Sequence, residues 1–180
     1  MLDRRRAMTP EARRIAGAAM TRNALILAQR LTVRTISSYV SIGTEPATLE
    51  MNDALAGRGV RVLLPVLQPD LDLDWCGYGG ATRLVGGPHG LLEPQGSRLG
   101  LQAITEADLV VVPAVAVGRD GSRLGRGGGS YDRALARLDP GVPVVALLYD
   151  GELLDSVPAE PHDRRVTAVL TPDGHVDLPH

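Results

Sequence analysis

Between Gly121 and Arg133 the chain reads GSRLGRGGGSYDR, a segment that joins five glycines to three arginines and one aspartate. Glycines let a backbone approach a ligand closely and turn successive N–H groups toward one point, and a helix start that follows such a run favours negative charge. Arg123 and Arg126 inside the run and Arg133 just after it add guanidinium forks, which pair with phosphate oxygens in a bidentate way. Surface loops also collect glycine for turn geometry alone, so a flexible connector is the competing reading. The arginines favour phosphate over connector. The run is neither a GxGxxG dinucleotide fingerprint nor a GxxxxGK[ST] loop, so the residues alone lead to a nucleotide or sugar-phosphate site.

Composition narrows the chemistry. All 19 basic residues are arginine, and there is no lysine and no phenylalanine. A Walker lysine, a Schiff base and a lysine acid or base are thereby excluded, and any cation acting on a phosphate is an arginine or a metal. The net charge of −2 gives no footprint for nucleic acid, although arginines cluster before residue 35. One cysteine, Cys76, cannot form an internal disulfide and reads as a strand residue, and no Cys/His cluster has zinc spacing. No apolar run approaches a bilayer's thickness, and the basic start lacks the apolar centre of a signal peptide. A cytoplasmic protein without membrane or nucleic-acid partners is expected. With 180 residues, a single domain over 1–180 is expected, and a monomer, because no surplus apolar helical face is evident.

Alternating elements must position the loop. Thr9 and Pro10 read as N-cap and first turn of a helix to about Arg30, with Ile15, Ala18, Ala19, Leu25 and Ile26 at helical spacing. Thr35 to Val40 and Val60 to Val66 read as strands around a helix from Thr48 to Ala56. Leu71 to Trp75 alternates apolar and acidic residues, as a half-exposed strand does, and Gly77 to Gly100 reads as an excursion rimming the site. Leu109 to Val112 and Val142 to Leu148 are apolar throughout, as strands buried on both faces are, with a helix from Ser130 to Leu138 between them and a last strand at Val166 to Leu170. The pattern predicts an α/β fold, an open and mostly parallel sheet with helices on both faces, whose ligands lie at the carboxyl ends of the strands.

The segment RLGRGGGSYDR, preceded by VVPAVAVGRDG and followed by VPAEPHD and AVLTPDG, resembles the signature of the 5-formyltetrahydrofolate cyclo-ligase family. The likeness extends to MTPEAR, YVSIGTEPAT and LLP, and so over nearly the whole chain. It implies a NagB/RpiA/CoA-transferase-like fold and closure of 5-formyltetrahydrofolate to 5,10-methenyltetrahydrofolate with ATP and Mg²⁺, releasing ADP and phosphate. On the matching positions it implies an ATP loop of Arg123, Leu124, Gly125, Arg126, Gly127, Gly128, Gly129, Ser130 and Tyr131. Arg123 and Arg126 take the catalytic charge-stabilising role. Val40, Glu45, Arg126 and Ser130 face the folate, and Asp132 and Asp163 hold magnesium. Taken without the resemblance, Asp132 is a first-turn acid offsetting the helix dipole, Asp163 a turn residue and Glu45 a loop acid.

The chain also departs from the family pattern. Gly128 stands where many relatives carry lysine, Ser130 where many carry tyrosine, Glu152 where glutamine is common, and Gly90 near an often aromatic position. The first residues align downstream of the lysine and Leu-Arg pair with which members usually open, so a truncated start or weakened nucleotide binding is expected. Arg4 to Arg6 are either partial substitutes or a solvated helix end. His89 and His162 are assigned no role. A catalytically weak or inactive folate- or nucleotide-binding homologue, or another sugar-phosphate or acyl-transfer enzyme on a similar sheet, are the alternatives.

Overall fold

The computed structural model describes residues 1–160 and 163–179. Helices α1 (Leu2–Ala7) and α2 (Pro10–Arg30) precede strand β1 (Thr35–Ser37), and helix α3 (Leu49–Ala56) leads to β2 (Arg61–Leu67) and β3 (Leu73–Gly77). A hairpin of β4 (Leu84–Gly86) and β5 (Leu92–Pro94) follows. Next come β6 (Leu109–Pro113), β7 (Ala116–Gly118) and β8 (Arg123–Leu124), then helix α4 (Ser130–Leu135). Strands β9 (Val144–Leu147), β10 (Leu153–Leu154), β11 (Ala168–Thr171) and β12 (Gly174–Asp177) complete the order.

Seven strands form the main sheet in the order β12, β11, β9, β6, β1, β2, β3. The five from β11 to β2 are parallel, and only the edges β12 and β3 run antiparallel. The expected open, mostly parallel sheet is therefore present. Because successive side chains alternate between faces, Leu109 and Val111 join the core under α2 and α3, while Val110 and Val112 join the one containing Ile104 and Leu135. Each such buried side chain contributes about 1.5–3 kcal/mol. A smaller sheet of β10, β7 and β8 stands beside the first and carries the chain from β6 to the glycine loop.

Several elements differ from their expected form. In α2 the cap is as read, Thr9 Oγ1 accepting from Ala12 N–H at 3.1 Å. The buried face, however, is Ala16, Met20, Ala24, Leu27 and Ala28, whereas Ile15 and Ile26 are 57% and 60% exposed. The helix comes so close to its neighbours that a Cβ on Gly17 would stand 3.2 Å from Ala47 Cβ. Small residues fit that seam and isoleucine does not.

Strand β3 starts two residues late: Leu71 lies in the preceding turn at φ 67°, and Trp75 is fully buried rather than half-exposed. The alternating acids serve partners instead of solvent, Asp72 pairing with Arg137 and Asp74 accepting N–H bonds from Trp75 and Gly100. The first strand stops at Ser37, and α4 at Leu135, three residues short of Leu138. Strands β7, β8, β10 and β12 were not expected. They are short, and they pair across turns at Gly121 and Gly174 or, between β7 and β10, with a strand far along the chain.

Candidate active site

A cavity of about 580 Å³ opens where the parallel strands end. Val40, Ile42 and Glu45 reach it from the segment after β1, Pro113, Ala114 and Val115 from the end of β6, and the loop from Gly125 to Asp132 closes one side. Leu91, Leu92 and Glu93 of the β4–β5 hairpin form the rim, as expected of the Gly77 to Gly100 excursion. Leu67, Leu71 and Leu73 make the opposite wall apolar. A largely apolar cleft with a few convergent polar groups suits an aromatic ligand with a polar edge.

The glycine side is shaped for close approach. Gly127 and Gly129 have φ values of 89° and 65°, and a Cβ on Gly125 would stand 2.8 Å from Arg123 Nη1. Gly129 is the N-cap of α4 and contributes no capping side chain, so no cap side chain occupies the N–H groups of the first turn.

Two ion pairs organise the charges. Arg123, its side chain 7% exposed, donates from Nη2 to Asp132 Oδ1 at 2.5 Å and from Nη1 to the Pro113 carbonyl at 3.4 Å, with Nε buried and unpartnered among the described residues. Arg126 is half-exposed and lies 3.4 Å from Glu45 Oε1, while Glu45 Oε2 accepts the Ile42 N–H at 2.9 Å. Burial first, and the Glu45 charge second, push the Tyr131 and Tyr39 phenols above their ordinary range. Both rings are therefore neutral hydrogen-bond donors beside a carboxylate.

Val40, Glu45, Arg123, Gly125, Arg126, Gly127, Gly128, Gly129, Ser130, Tyr131 and Asp132 thus share one cavity. Leu124 stands behind it in β8, paired with Ala116. Asp163 lines an adjoining cleft of about 340 Å³, where Arg123, Asp120 and Ser122 are its neighbours, and its Oδ2 accepts the Glu160 N–H at 2.8 Å. Arg123 is the side chain common to both spaces. His162 lies outside the described residues.

Among the described residues no group of three or more His, Cys, Asp and Glu side chains could hold a metal alone. A Mg²⁺ carried on a nucleotide would need only one or two carboxylates, with phosphate oxygens and water completing its shell. Asp132, on the cavity wall, has the required chemistry.

Neither reading of Arg4 to Arg6 holds for Arg5. It is 1% exposed, makes a bidentate pair with Glu152 at 2.7 Å through both nitrogens, and donates to the Ala114 carbonyl at 2.8 Å. Arg6 pairs with Asp3 in solvent, Arg4 packs on Gly151, and none of the three lines the cavity. A guanidinium in a basic run gives no sequence signal of such burial. Tyr39, a buried cavity residue, likewise carries no signal in the sequence beyond its place in a strand pattern.

The apolar chamber and the glycine loop meet at the Arg126–Glu45 contact, on an α/β sheet of the kind that carries enzyme sites at its strand ends. Residues 1–172 match the model of the 5-formyltetrahydrofolate cyclo-ligase family, and the chain belongs to that family. It is 44% identical over 177 residues to the 5-formyltetrahydrofolate cyclo-ligase of Mycolicibacterium smegmatis, covering 96% of this chain and 90% of that protein. The Escherichia coli K12 cyclo-ligase is 30% identical over 172 residues, with 94% of each covered. In fold the chain is similar to the 5,10-methenyltetrahydrofolate synthetase of Aquifex aeolicus, at a TM-score of 0.83 and 23% identity over 99% of this chain and 89% of that one.

Proposed function

We propose that the protein cyclises 5-formyltetrahydrofolate to 5,10-methenyltetrahydrofolate with ATP and Mg²⁺, releasing ADP and phosphate. The observation that carries the reading is the single cavity in which the glycine loop faces Glu45, with Arg126 between them. The family supplies the reaction; the geometry supports where each part of it occurs. Glu45 accepts the paired N–H groups of the pterin edge, and Val40 packs on the ring. The loop from Arg123 to Tyr131 cradles the triphosphate, Ser130 and Arg126 standing where the two ligands meet.

No protein nucleophile is needed. The formyl oxygen forms a bond to the γ-phosphorus as the bond from that phosphorus to the ADP oxygen breaks. The N10 lone pair then attacks the formyl carbon, the carbon–oxygen bond to phosphate breaks, N10 loses its proton, and inorganic phosphate leaves. Such a transfer depends on positioning and on neutralising the phosphoryl oxygens. Arg126, freed from Glu45 when the pterin takes that carboxylate, swings to the transferring group, and Arg123 balances charge from below. Asp132 and Asp163 are the carboxylates that would hold magnesium, which supplies charge neutralisation to the phosphates when bound.

Substrate labelled with ¹⁸O in the formyl group tests this. The label is expected in the released inorganic phosphate, and phosphate free of label would contradict phosphorylation of the formyl oxygen.

A further inference from the structure

Leu91, Leu92 and Glu93 bring the β4–β5 hairpin to the cavity rim, yet neither of its strands pairs with the main sheet or with the small sheet of β10, β7 and β8. The hairpin's own ladder runs only from the pair of Leu84 with Pro94 to that of Gly86 with Leu92, and an isolated two-stranded hairpin is marginal in water. Burial anchors its base, where Leu84 packs on the core under α2 and Pro94 is buried. Beyond that base, Val85 and Leu92 are 40% and 44% exposed.

One side chain supplies the missing tie. Glu93 Oε1 accepts the backbone N–H of Leu67, the last residue of β2, at 3.0 Å. Among the described residues, no other hydrogen bond joins residues 84–94 to the rest of the chain. An ionised acceptor on a backbone donor makes a strong bond of its kind. Here both ends of it lie in the cavity lining, Glu93 on the rim and Leu67 on the leucine wall. The arm that reaches across is confined as well. A Cβ on Gly87, just after β4, would stand 2.8 Å from Glu93 Cγ and Cδ, so a larger residue there would push the carboxylate off Leu67.

We propose that Glu93 is a positioning residue whose carboxylate seats the hairpin on the end of β2, so that Leu91 and Leu92 cover the apolar face of a ring held in the cavity. This rests on the reading of the cavity as a folate site, the ring being part of the reduced folate. Leu92 gains burial when such a ring lies against it, and the gain is available only while the hairpin is held in place. Because the hairpin is tied to the leucine wall and not to the glycine loop, Glu93 governs folate and leaves the nucleotide alone. What it contributes is an acceptor oxygen at the right reach, so glutamine, which keeps that oxygen, can stand in for it and alanine cannot.

The test measures steady-state kinetics of wild type, Glu93→Ala, Glu93→Gln and Gly87→Ala with each substrate varied in turn, and amide exchange across residues 84–94 in the ligand-free proteins. In Glu93→Ala, KM for 5-formyltetrahydrofolate is expected to rise about fivefold to tenfold, as for the loss of one such bond, while kcat and KM for Mg-ATP move by less than about twofold. Hairpin exchange is expected to quicken in the same variant, and Glu93→Gln to recover most of both effects. Gly87→Ala, which crowds Glu93 without removing it, is expected to raise the folate KM in the same direction. An unchanged folate KM in Glu93→Ala or Gly87→Ala, an equal rise in both KM values, or no recovery with glutamine would overturn the role of Glu93 and leave the folate reading intact. Wild type that turns over no 5-formyltetrahydrofolate would overturn both.

Discussion

Arg126 has the weakest structural attachments of the site arginines and the most exposed position. Its contact with Glu45 is a single 3.4 Å approach from a half-exposed side chain, the kind of pair that contributes about 0–1 kcal/mol to stability. Arg123 is the reverse, nearly buried and locked to Asp132. We therefore expect Arg126→Ala to lower kcat by about 10²–10³, the usual loss when one donor to developing charge is removed, with a stability change under about 0.5 kcal/mol. Steady-state rates at saturating ATP and thermal melts check the pair of outcomes. A normal rate would remove Arg126 from the chemistry. At this scale the sequence was informative about what the loop residues are and silent about how they pair. The motif names Arg123 and Asp132, but nothing in RLGRGGGSYDR says that the loop folds back so that one meets the other nine residues on. Arg5 was beyond reach for the same reason, its partner Glu152 being 147 residues away.

That pair matters most at the level of elements. Helix α1 has only six residues and no side-chain N-cap, too little to persist on local forces. It is fixed by Arg5, which ties it to Glu152 before β10 and to the Ala114 carbonyl in the cavity wall. Glu152 Oε2 in turn accepts the Tyr149 N–H, and the Tyr149 hydroxyl reaches the Glu45 carbonyl at 3.3 Å. The first helix thereby supports two walls of the cavity without lining it. Removing one partner of a buried pair leaves the other uncompensated, so Arg5→Met is expected to cost about 3–5 kcal/mol in urea unfolding. Replacing both residues, as in Arg5→Met with Glu152→Met, should recover most of that loss; no recovery would mean the pair is not the latch. Elements with long apolar or capped patterns, α2, β6 and β9, were readable because local sequence dictates them. The buried face of α2 was not, since hydrophobicity weights isoleucine over alanine while the narrow seam at Gly17 and Ala47 selects for smallness.

In the whole molecule, five parallel strands with cores on both faces bring every loop that follows a strand to one edge. The segment after β1 brings Glu45, the end of β6 brings Pro113 to Val115, and β7 with β8 returns the glycine loop across the opening. The alternation of strand and helix patterns made this edge predictable, whereas the antiparallel edge strand β12 and the small sheet of β10, β7 and β8 depend on pairings too short to announce themselves. No described helix is long and apolar enough to cross a membrane. We propose that this chamber, with an acid on one side and an arginine-glycine cradle on the other, brings two ligands into reaction. That reaction is tested most directly by following the absorbance of the methenyl product when the purified protein meets 5-formyltetrahydrofolate, ATP and Mg²⁺. Product is expected to accumulate only with all three present, to stop on chelation of the metal, and to match the ADP formed one for one. Ligand-induced thermal stabilisation without any methenyl product would contradict the account, and would make the protein a binding module on an enzyme's fold.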